Sequence, residues 1–301
     1  MFDHTLIEPL SDIFFDLGFI VWYKYSFMIL LGMFFATVLG LREGKKLGIS
    51  SDEIFDGVLI IIPLSIVGAR LYYVIFEWSR FSGDLMKILD IRSGGLAIHG
   101  GIIVGFVGTY IYCKIRGINI FRALDLVAPG FLVAQASGRW GNFFNQEAHG
   151  GVIGGVDEVG NVILSLDDQR AFLADTLHLP TFITDNMYLK GPDAFSNQYY
   201  HPTFLYESMW NLLGLGILFW LRRTKFLRTG DLVAFYMMWY SFGRFFIESM
   251  RTDSLYVGNT GLRTAQIISI LLFLGGIAFL VLNRVVIKSM HYYKALEENA
   301  L

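Results

Sequence analysis

Three arginines lie within apolar segments that are long enough to form membrane-spanning helices. Arg70 falls in the segment 57–76, Arg139 in the segment 123–144 and Arg244 in the segment 231–250. A guanidinium group inside a hydrocarbon layer is costly, so such a residue is a functional candidate by default. Because the planar guanidinium fork binds phosphate bidentately, clustered arginines at headgroup depth predict a binding site for a lipid phosphate.

The depths of the charged residues agree with one another. Arg70, Arg139 and Arg244 each lie in the outer half of an outward-running segment, and His99 begins an inward-running one. At a rise of about 1.5 Å per residue, Arg139 and Arg244 each lie within roughly 10 Å of the outer boundary. We therefore expect two or three guanidinium groups and an imidazole at one level. His99 is a candidate base for a thiol or hydroxyl proton, with a structural role as the alternative.

Helical spacing adds polar neighbours to both arginines. Intervals of four, four and three residues predict one helical stripe that contains Tyr240, Arg244, Glu248 and Arg251. Asn142 follows Arg139 by three residues and would share its face. The Arg244–Glu248 pair is either an intrahelical salt bridge or an arrangement in which Glu248 orients Arg244. We favour the second, because a salt bridge alone does not explain so costly a location.

A further polar motif, HPTFLYE, runs from His201 to Glu207 at the start of another apolar segment. Pro202 suits the first turn of a helix, and His201 either caps that helix or faces the site. Glu207 would lie one turn into the membrane, where it needs a cationic partner such as Arg139 or Arg244. We expect a structural role for this motif.

The composition indicates a polytopic membrane protein. Hydrophobic residues make up 54% of the 301 residues and charged residues 17%, against about 25% in a typical soluble domain. The net charge of −2 and the sequence pI of 6.3 argue against a nucleic-acid partner, which would require a basic face. The single cysteine, Cys113, excludes an intrachain disulfide. No metal and no other cofactor is expected, because there is no HExxH motif and the carboxylates are scattered.

The hydropathy pattern predicts an all-α polytopic membrane protein with seven transmembrane helices. The predicted spans are 19–41, 57–76, 95–113, 123–144, 203–221, 231–250 and 264–287. Lys and Arg are concentrated after the first, third, fifth and seventh spans, which predicts an outside N-terminus and a cytoplasmic C-terminus. Residues 1–301 would form one transmembrane domain, with residues 145–201 inserted between the fourth and fifth spans as a small extracytoplasmic head. We expect short strands around residues 162–166.

Residues 138–150 read GRWGNFFNQEAHG. They resemble the signature of the prolipoprotein diacylglyceryl transferase family, G-R-x-G-N-F-x-N-x-E-x-x-G, at every fixed position. Further blocks resemble the family in the same order: His99-Gly100-Gly101, His201 to Glu207, and Arg244 to Glu248 followed by Arg251. The resemblance extends from about residue 18 to residue 287 and includes Trp22-Tyr23 and Gly68 to Leu71.

The resemblance implies a reaction and its partners. Enzymes of this family transfer the diacylglyceryl group of phosphatidylglycerol to the thiol of a lipobox cysteine, forming a thioether and releasing glycerol 1-phosphate. The implied partners are phosphatidylglycerol, prolipoprotein signal peptides with a lipobox cysteine, and the surrounding membrane lipids. The implied location is the bacterial plasma membrane, with the active site toward the outer leaflet. The family pattern marks as important Tyr23, His99, Arg139, Asn142, Glu147, Tyr240, Arg244 and Glu248.

These residues support a mechanistic hypothesis. Arg139 would stabilise the leaving phosphate and Arg244 the same phosphate or the headgroup, and Arg70 is a further candidate for lipid binding. His99 either removes the thiol proton or only positions the substrate, because nearby arginines could themselves lower the thiol pKa. The point where the two substrates meet would be shaped by Tyr23, Asn142, Glu147 and Tyr240.

Two other classes of protein compete with the transferase. A transporter for a lipid or a small anion also accommodates intramembrane arginines, but it would place charges at the midplane with access from both sides. In this sequence the charged and polar side chains of the predicted spans are concentrated in the outer half of the membrane. A membrane scaffold or receptor would not need the Arg–Asn–Glu run of residues 139–147. We therefore favour the transferase.

Overall fold

The computed structural model describes residues 3–8, 10–91, 94–191, 196–258 and 260–292, which are mostly helical. The long helices are Lys24–Gly44 (α1), Ser51–Phe76 (α2), Ile98–Arg116 (α3), Ile120–Phe144 (α4), Thr203–Leu221 (α7), Asp231–Met250 (α8) and Thr264–Leu282 (α9). Two short helices lie between α4 and α7, Leu166–Ala171 (α5) and Thr181–Asn186 (α6). Two antiparallel hairpins pair Ile13–Asp16 (β1) with Val21–Tyr23 (β2), and Tyr188–Leu189 (β3) with Gln198–Tyr199 (β4).

Six of the long helices, α1 to α4, α7 and α9, are long and apolar enough to cross a membrane. This agrees with the polytopic class that the composition predicts. α8 is 20 residues long but is not apolar enough to be counted with these six, and it contains Asp231, Arg244 and Glu248. Its role as an additional span stays a prediction. The predicted bounds agree with the structure for α7 and α8 and differ by a few residues for the other helices.

The predicted first span is wrong at its start, because residues 19–23 are not helical and α1 begins at Lys24. Residues 13–23 instead form the β1–β2 hairpin. At its turn Gly18 has a φ of +79°, and its N–H donates a hydrogen bond to the Asp16 carboxylate at 2.7 Å. β-Branched and aromatic residues favour strands, so this run has the hydropathy of a span but the local preference of a hairpin.

The long helices form an antiparallel bundle. The starts of α1, α3, α7 and α9 and the ends of α2, α4 and α8 lie together at one end, here called the site end. α4 packs against α1 on one side and against α7 and α8 on the other, whereas α2 and α3 pack mainly on each other. Small residues allow the α1–α4 approach, since a Cβ at Gly32 would lie 3.0 Å from the Cα of Ala134.

Two tryptophans fix the register between α7 and α8. Trp210 and Trp239 stack with their ring centroids 4.1 Å apart. Each indole N–H donates to the backbone carbonyl of the other residue, at 2.9 and 3.0 Å. Each ring also lies over a glycine of the opposite helix, Gly243 and Gly214, where a Cβ atom would clash with the indole. This reciprocal contact fixes how far along the bundle the α7 side chains lie relative to those of α8.

At the opposite end of the bundle, Asp125 of α4 fixes the start of α8. Its carboxylate accepts hydrogen bonds from the N–H groups of Gly230 at 2.6 Å and Val233 at 3.0 Å. Asp231, the first residue of α8, is held by Arg284 at 2.6 Å. α8 is therefore anchored to α4 at its first turn, which helps to define where its later residues lie against α4.

Residues 145–191 and 196–201 form a layer across the site end, with a core built from Ile153, Leu173, Ile183 and Tyr199. The N-terminal residues pack against this layer, where the His4 ring lies 2.9 Å from the Tyr199 hydroxyl. The strands predicted near residues 162–166 are not formed. Val162 makes one isolated bridge and α5 begins at residue 166, while the strands of this layer are β3 and β4.

Candidate active site

Arg139, Glu207 and Arg244 meet at the site end from three different helices, α4, α7 and α8. The Glu207 carboxylate lies between the two guanidinium groups. Its Oε1 is 2.9 Å from Nη2 of Arg139, and its Oε2 is 3.1 Å from Nη1 of Arg244. The structure thus brings together the two arginines that the sequence placed at one depth, and it supplies Glu207 with a cationic partner on each side.

These ion pairs are largely shielded from water. The side chains of Glu207 and Glu248 are 2% and 3% exposed, and those of Arg139 and Arg244 are 17% and 14% exposed. Nη2 of Arg244 lies 2.6 Å from Oε2 of Glu248, one turn further along α8. Because a buried charge without a partner is strongly destabilising, the pairing makes this location possible. Two arginines and two glutamates together have no net charge.

The network continues from Arg139 into the loop that follows α4. Nη1 of Arg139 donates to Oδ1 of Asn142 at 3.1 Å, and Nδ2 of Asn142 donates to Oε1 of Glu147 at 2.8 Å. Asn145 adds a second amide donor to the same oxygen, at 3.3 Å. Glu147 is exposed. A chain of polar contacts therefore runs from the buried Glu248 to an accessible carboxylate.

An uncommon backbone conformation places Glu147 at the end of this chain. Gln146 and Ala148, on either side of it, have φ angles of +52° and +57°. Residues other than glycine rarely adopt this left-handed region. The Glu147 N–H donates to the Asn142 carbonyl at 3.0 Å, and the Thr203 hydroxyl donates to the Ala148 carbonyl at 2.7 Å. Backbone held in this way by its surroundings is typical of functional sites.

Glu147 also lines a cavity of about 580 Å³ at the site end. The opposite wall comes from the N-terminal segment and the first turn of α1, and includes Asp12, Tyr23, Tyr25 and Ser26. The structure therefore places Tyr23, a predicted site residue, in the same cavity as Glu147. Tyr23 lies at the outer end of the polar network and not beside the arginines.

Tyr240 lies one turn before Arg244 on α8, as the predicted stripe requires. Its ring stacks with that of Tyr236, with 5.9 Å between centroids. Its hydroxyl is within the electrostatic influence of Glu207, Arg244 and Arg139. Tyr240 is therefore a neighbour of the arginine pair on the side that faces the interior of the bundle.

Arg251 was predicted on the same stripe, and that prediction is wrong. α8 ends at Met250, and the backbone of Arg251 is extended. Its side chain pairs with Asp253 at 2.7 Å, and its backbone forms a strand-like bridge with Gly150. The hydrogen bond from Arg251 lowers the pKa of the Asp253 carboxyl. Arg251 therefore ties the loop after α4 to the exit of α8, outside the arginine pair.

His99 lies apart from the ion-pair network. It is the second residue of α3, its side chain is exposed, and its ring contact among the described residues is with Tyr72 of α2, at 6.2 Å between centroids. No hydrogen bond links His99 to the arginine pair within the described parts of the chain. The structure therefore does not bring His99 into contact with the arginine pair.

Arg70 is buried at the end of α2, but its guanidinium group is engaged by the chain itself. It donates to five backbone carbonyls, at 2.6 to 2.9 Å, in residues Lys87, Ile88, Asp90, Gly94 and Gly95. A guanidinium group has five N–H donors, so all are used in this conformation. Arg70 therefore anchors the connection between α2 and α3 and is not brought to the arginine pair.

His201 is the last residue of the layer across the site end, and its side chain packs against Phe172 of that layer. Its Nδ1 lies 3.3 Å from the Tyr206 hydroxyl, and its ring meets that of Phe172 edge-on at 5.6 Å. Burial lowers the pKa of the His201 imidazole, which favours its neutral form. Within the described part of the chain, the His201 side chain neither caps α7 nor contacts Arg139 or Arg244, so neither alternative from the sequence applies.

Within the described residues, no group of three or more His, Cys, Asp or Glu side chains could hold a metal ion. Cys113 is buried near the end of α3 that lies away from the site. A thiol that reacts at the arginine pair must therefore come from another molecule.

Two features of the site were missed by the sequence analysis. Glu207 was expected to have one cationic partner, whereas it joins both arginines. Asn145 was not singled out, although it donates to Glu147 and occupies a fixed position of the GRWGNFFNQEAHG run. That fixed position was the available signal for Asn145.

The arrangement is suited to binding an oxyanion. In each arginine of the pair, Nε forms no hydrogen bond with the protein among the described residues. Two guanidinium groups fixed by neighbouring carboxylates in a shielded site need little rearrangement when negative charge develops nearby. The lowered effective dielectric of such a site strengthens the interaction relative to water.

Comparison with known proteins agrees with this geometry. The family model described as prolipoprotein diacylglyceryl transferase matches residues 12–282. A phosphatidylglycerol–prolipoprotein diacylglyceryl transferase of Halalkalibacterium halodurans is 44% identical over 272 residues, which is 90% of this chain and 86% of that protein. A protein of the same name from Bacillus licheniformis is 44% identical, over 92% of this chain and 94% of that protein. Another, from Geobacillus kaustophilus, is 42% identical, over 93% of this chain and 95% of that protein.

Proposed function

The chain belongs to the prolipoprotein diacylglyceryl transferase family, and from this premise we propose that its arginine pair holds the phosphate that leaves in the reaction. The enzyme transfers the diacylglyceryl group of phosphatidylglycerol to a prolipoprotein thiol, the first step of lipoprotein maturation. A thioether forms and glycerol 1-phosphate is released. The observation that supports the phosphate assignment is the convergence of Arg139 and Arg244 on one carboxylate, at 2.9 and 3.1 Å.

The arginine pair has the task of stabilising negative charge. The bond that breaks joins the glycerol C3 carbon to a phosphate oxygen, so charge builds on the phosphate. Arg139 is fixed by Glu207 and Asn142, and Arg244 by Glu207 and Glu248. Donors that are already oriented stabilise a developing anion most effectively, because they need no reorganisation at the transition state.

The nucleophile is the thiol of the lipobox cysteine in the precursor, since Cys113 is buried away from the site. A thiol with an ordinary pKa of about 8.5 must lose its proton to react efficiently. Because Glu207 and Glu248 neutralise the arginine pair, Arg139 and Arg244 would lower the thiol pKa only where the thiol lies nearer to their guanidinium groups than to the two carboxylates. His99 accepts the proton or positions the substrate, and its exposed location leaves it accessible to a bound peptide.

The remaining predicted residues act around this centre. Asn142 and Glu147 extend the polar network to the cavity, where Tyr23 forms part of the wall. They would contact the headgroup glycerol or the peptide backbone, while Tyr240 closes the site towards the bundle interior. For Arg70, the five carbonyl bonds favour an indirect role, through the connection that leads to His99.

We propose that α8 is a seventh span and that the site end faces the outside of the bacterial plasma membrane. α8 runs antiparallel between the neighbouring spans α7 and α9 and packs closely on α9. The distribution of Lys and Arg supports an outside N-terminus and a cytoplasmic C-terminus. Residues 145–201 would then form an extracytoplasmic head, and the arginine pair would lie at the level of the outer leaflet.

The test is a transfer assay with purified protein in vesicles that contain phosphatidylglycerol. A lipobox peptide should release glycerol phosphate, and the same peptide with Cys→Ser should not. Arg139→Ala should abolish transfer while the protein still accumulates in the membrane. Arg116→Ala, at the opposite end of the bundle, is the matched control. Near-normal transfer by Arg139→Ala would contradict the phosphate assignment.

The role of His99 is tested separately by the Gln and Asn variants across a pH series. If His99 is the base, both variants should lower the rate and alter its pH profile. Unchanged rates and profiles in both variants would exclude proton transfer to His99.

A further inference from the structure

The arginine pair is electrically neutralised before any lipid binds. Arg139 and Arg244 supply two positive charges, and Glu207 and Glu248, both almost fully buried, supply two negative ones. A phosphate that enters this site therefore meets two carboxylates as well as two guanidinium groups. This property follows from the geometry, but its consequence for the reaction rests on the proposed function of the pair.

Glu207 and Glu248 do not have the same position in this network. Among the described residues, the Glu248 carboxylate forms an ion pair with Arg244 of the same helix, at 2.6 Å, and with no other cation. Glu207 is on a third helix, and each of its two oxygens contacts a different arginine. Oε2 accepts a hydrogen bond from Arg244, and Oε1 lies at ion-pair distance from Arg139 without a hydrogen bond. Two adjacent anionic oxygens, each beside a separate guanidinium group, are also what a phosphate offers.

We propose that Glu207 is a positioning residue that stands in for the substrate phosphate. In the unliganded enzyme its carboxylate fixes both arginines in the geometry that a phosphate requires. Once phosphate is bound, the same carboxylate lies beside it and repels it. The lipid phosphodiester has one negative charge, whereas the released glycerol phosphate is a monoester with a second pKa of about 6 and acquires a second charge. Glu207 therefore weakens the binding of the product more than that of the lipid.

The decisive variant is Glu207→Gln, which keeps the volume of the side chain and removes its charge. Its amide nitrogen would face a guanidinium donor, so one arginine loses its acceptor and the transfer rate falls. The affinity for glycerol 1-phosphate should nevertheless rise by about tenfold, the order expected when a partly shielded like charge is removed at ion-pair distance. A residue with only a structural role would not increase product affinity when it is replaced.

Glu207→Asp separates the two effects. It keeps the charge but is one methylene shorter, so it cannot reach both arginines at once. The transfer rate should fall as in Glu207→Gln, while product affinity should not rise. Glu43→Gln is the matched control, because Glu43 is also a buried carboxylate with cationic partners, Lys46 and Arg222, at the opposite end of the bundle. It should leave product affinity unchanged.

Product binding is measured directly, by titrating glycerol 1-phosphate into detergent-purified protein, so the result does not depend on turnover. Melting temperatures establish that each variant is folded. An unchanged or weaker affinity in folded Glu207→Gln, or a rise of the same size in Glu207→Asp, would overturn the proposal. Wild-type protein that releases no glycerol phosphate in the transfer assay would instead refute the proposed function, so the two failures are distinguishable.

Discussion

Replacing Arg139 with lysine tests whether the shape of the guanidinium group, and not only its charge, is needed. In the structure Nη2 of Arg139 lies 2.9 Å from Glu207, and Nη1 lies 3.1 Å from Asn142. The two partners are thus bound by different nitrogens of one planar group. A lysine amine is a single point of charge on a flexible stem and cannot reproduce this fork. Arg139→Lys therefore keeps the charge, retains one partner at most and loses the second donor towards the phosphate.

The size of the effect follows from the lost donor. One preorganised donor to a developing anion contributes about 3–4 kcal/mol of transition-state stabilisation. Since about 1.4 kcal/mol corresponds to a factor of ten in rate, kcat should fall roughly 10²- to 10³-fold. The protein should still fold, because Glu207 keeps its contact with Arg244 at 3.1 Å and is not left without a cation.

The assay is release of glycerol phosphate from phosphatidylglycerol in the presence of the lipobox peptide, normalised to the amount of folded protein. Arg116→Lys is the control. Arg116 pairs with Asp56 at the opposite end of the bundle, where both side chains are 44% exposed. Its substitution should change neither rate nor stability, because exposed ion pairs contribute little. If Arg139→Lys turned over at the wild-type rate, bidentate recognition would be refuted and only a positive charge would be required at this position.

Two further predictions concern the elements around the site. Arg70→Lys replaces five hydrogen-bond donors by three. Amide hydrogen exchange in the connection between α2 and α3 should therefore become faster, while the exchange of α7 stays slow. Unchanged exchange would show that the hydrogen bonds from Arg70 to the backbone carbonyls do not hold this connection. Phe19, at the turn of the β1–β2 hairpin, is 81% exposed. A nitroxide on Phe19→Cys, in a Cys113→Ala background, should be more accessible to oxygen than to a water-soluble nickel complex, and the reverse order would place the hairpin in water.

The meeting of Arg139 and Arg244 could be anticipated from the sequence because it depends on a regular quantity. Helices rise by about 1.5 Å per residue, so the distance of a residue from the end of its span gives its depth. Depth alone, however, does not define which neighbouring helices a side chain faces. Arg70 has a similar depth, but it lies on α2, where the connection to α3 offers backbone carbonyls, and its donors are used there.

The β1–β2 hairpin could not be distinguished from a helix by hydropathy. The run of residues 13–23 is as apolar as the helix that follows, and its aromatic and β-branched residues are common in strands and in membrane spans alike. For Arg251, helical periodicity gave the wrong position. Its spacing from Glu248 suits a helical stripe, but α8 ends at Met250, so the periodicity in the sequence continues beyond the end of the helix.

The position of Glu207 between two arginines depended on packing that no local pattern reveals. Its height relative to Arg244 is set by the reciprocal Trp210–Trp239 contact. Contact between α4 and α7 is supported by the Ser208 hydroxyl, which donates to the Ala136 carbonyl at 3.2 Å. These contacts join residues far apart in the chain. The sequence could therefore predict that Glu207 needs a nearby cation, but not that its carboxylate lies between Arg139 and Arg244.

A neutral, buried network also explains how such a site can persist in an apolar layer and still favour the reaction. Two unpaired guanidinium groups at 14% and 17% exposure would destabilise the bundle, and they would bind the anionic lipid tightly in its ground state. Tight ground-state binding does not accelerate a reaction, because only interactions that strengthen in the transition state do so. The bilayer presents phosphatidylglycerol at high local concentration, so weak lipid binding is sufficient. Under the proposed function, the fixed donors of Arg139 and Arg244 would gain most of their interaction energy as the C3–oxygen bond breaks and charge accumulates on the leaving phosphate.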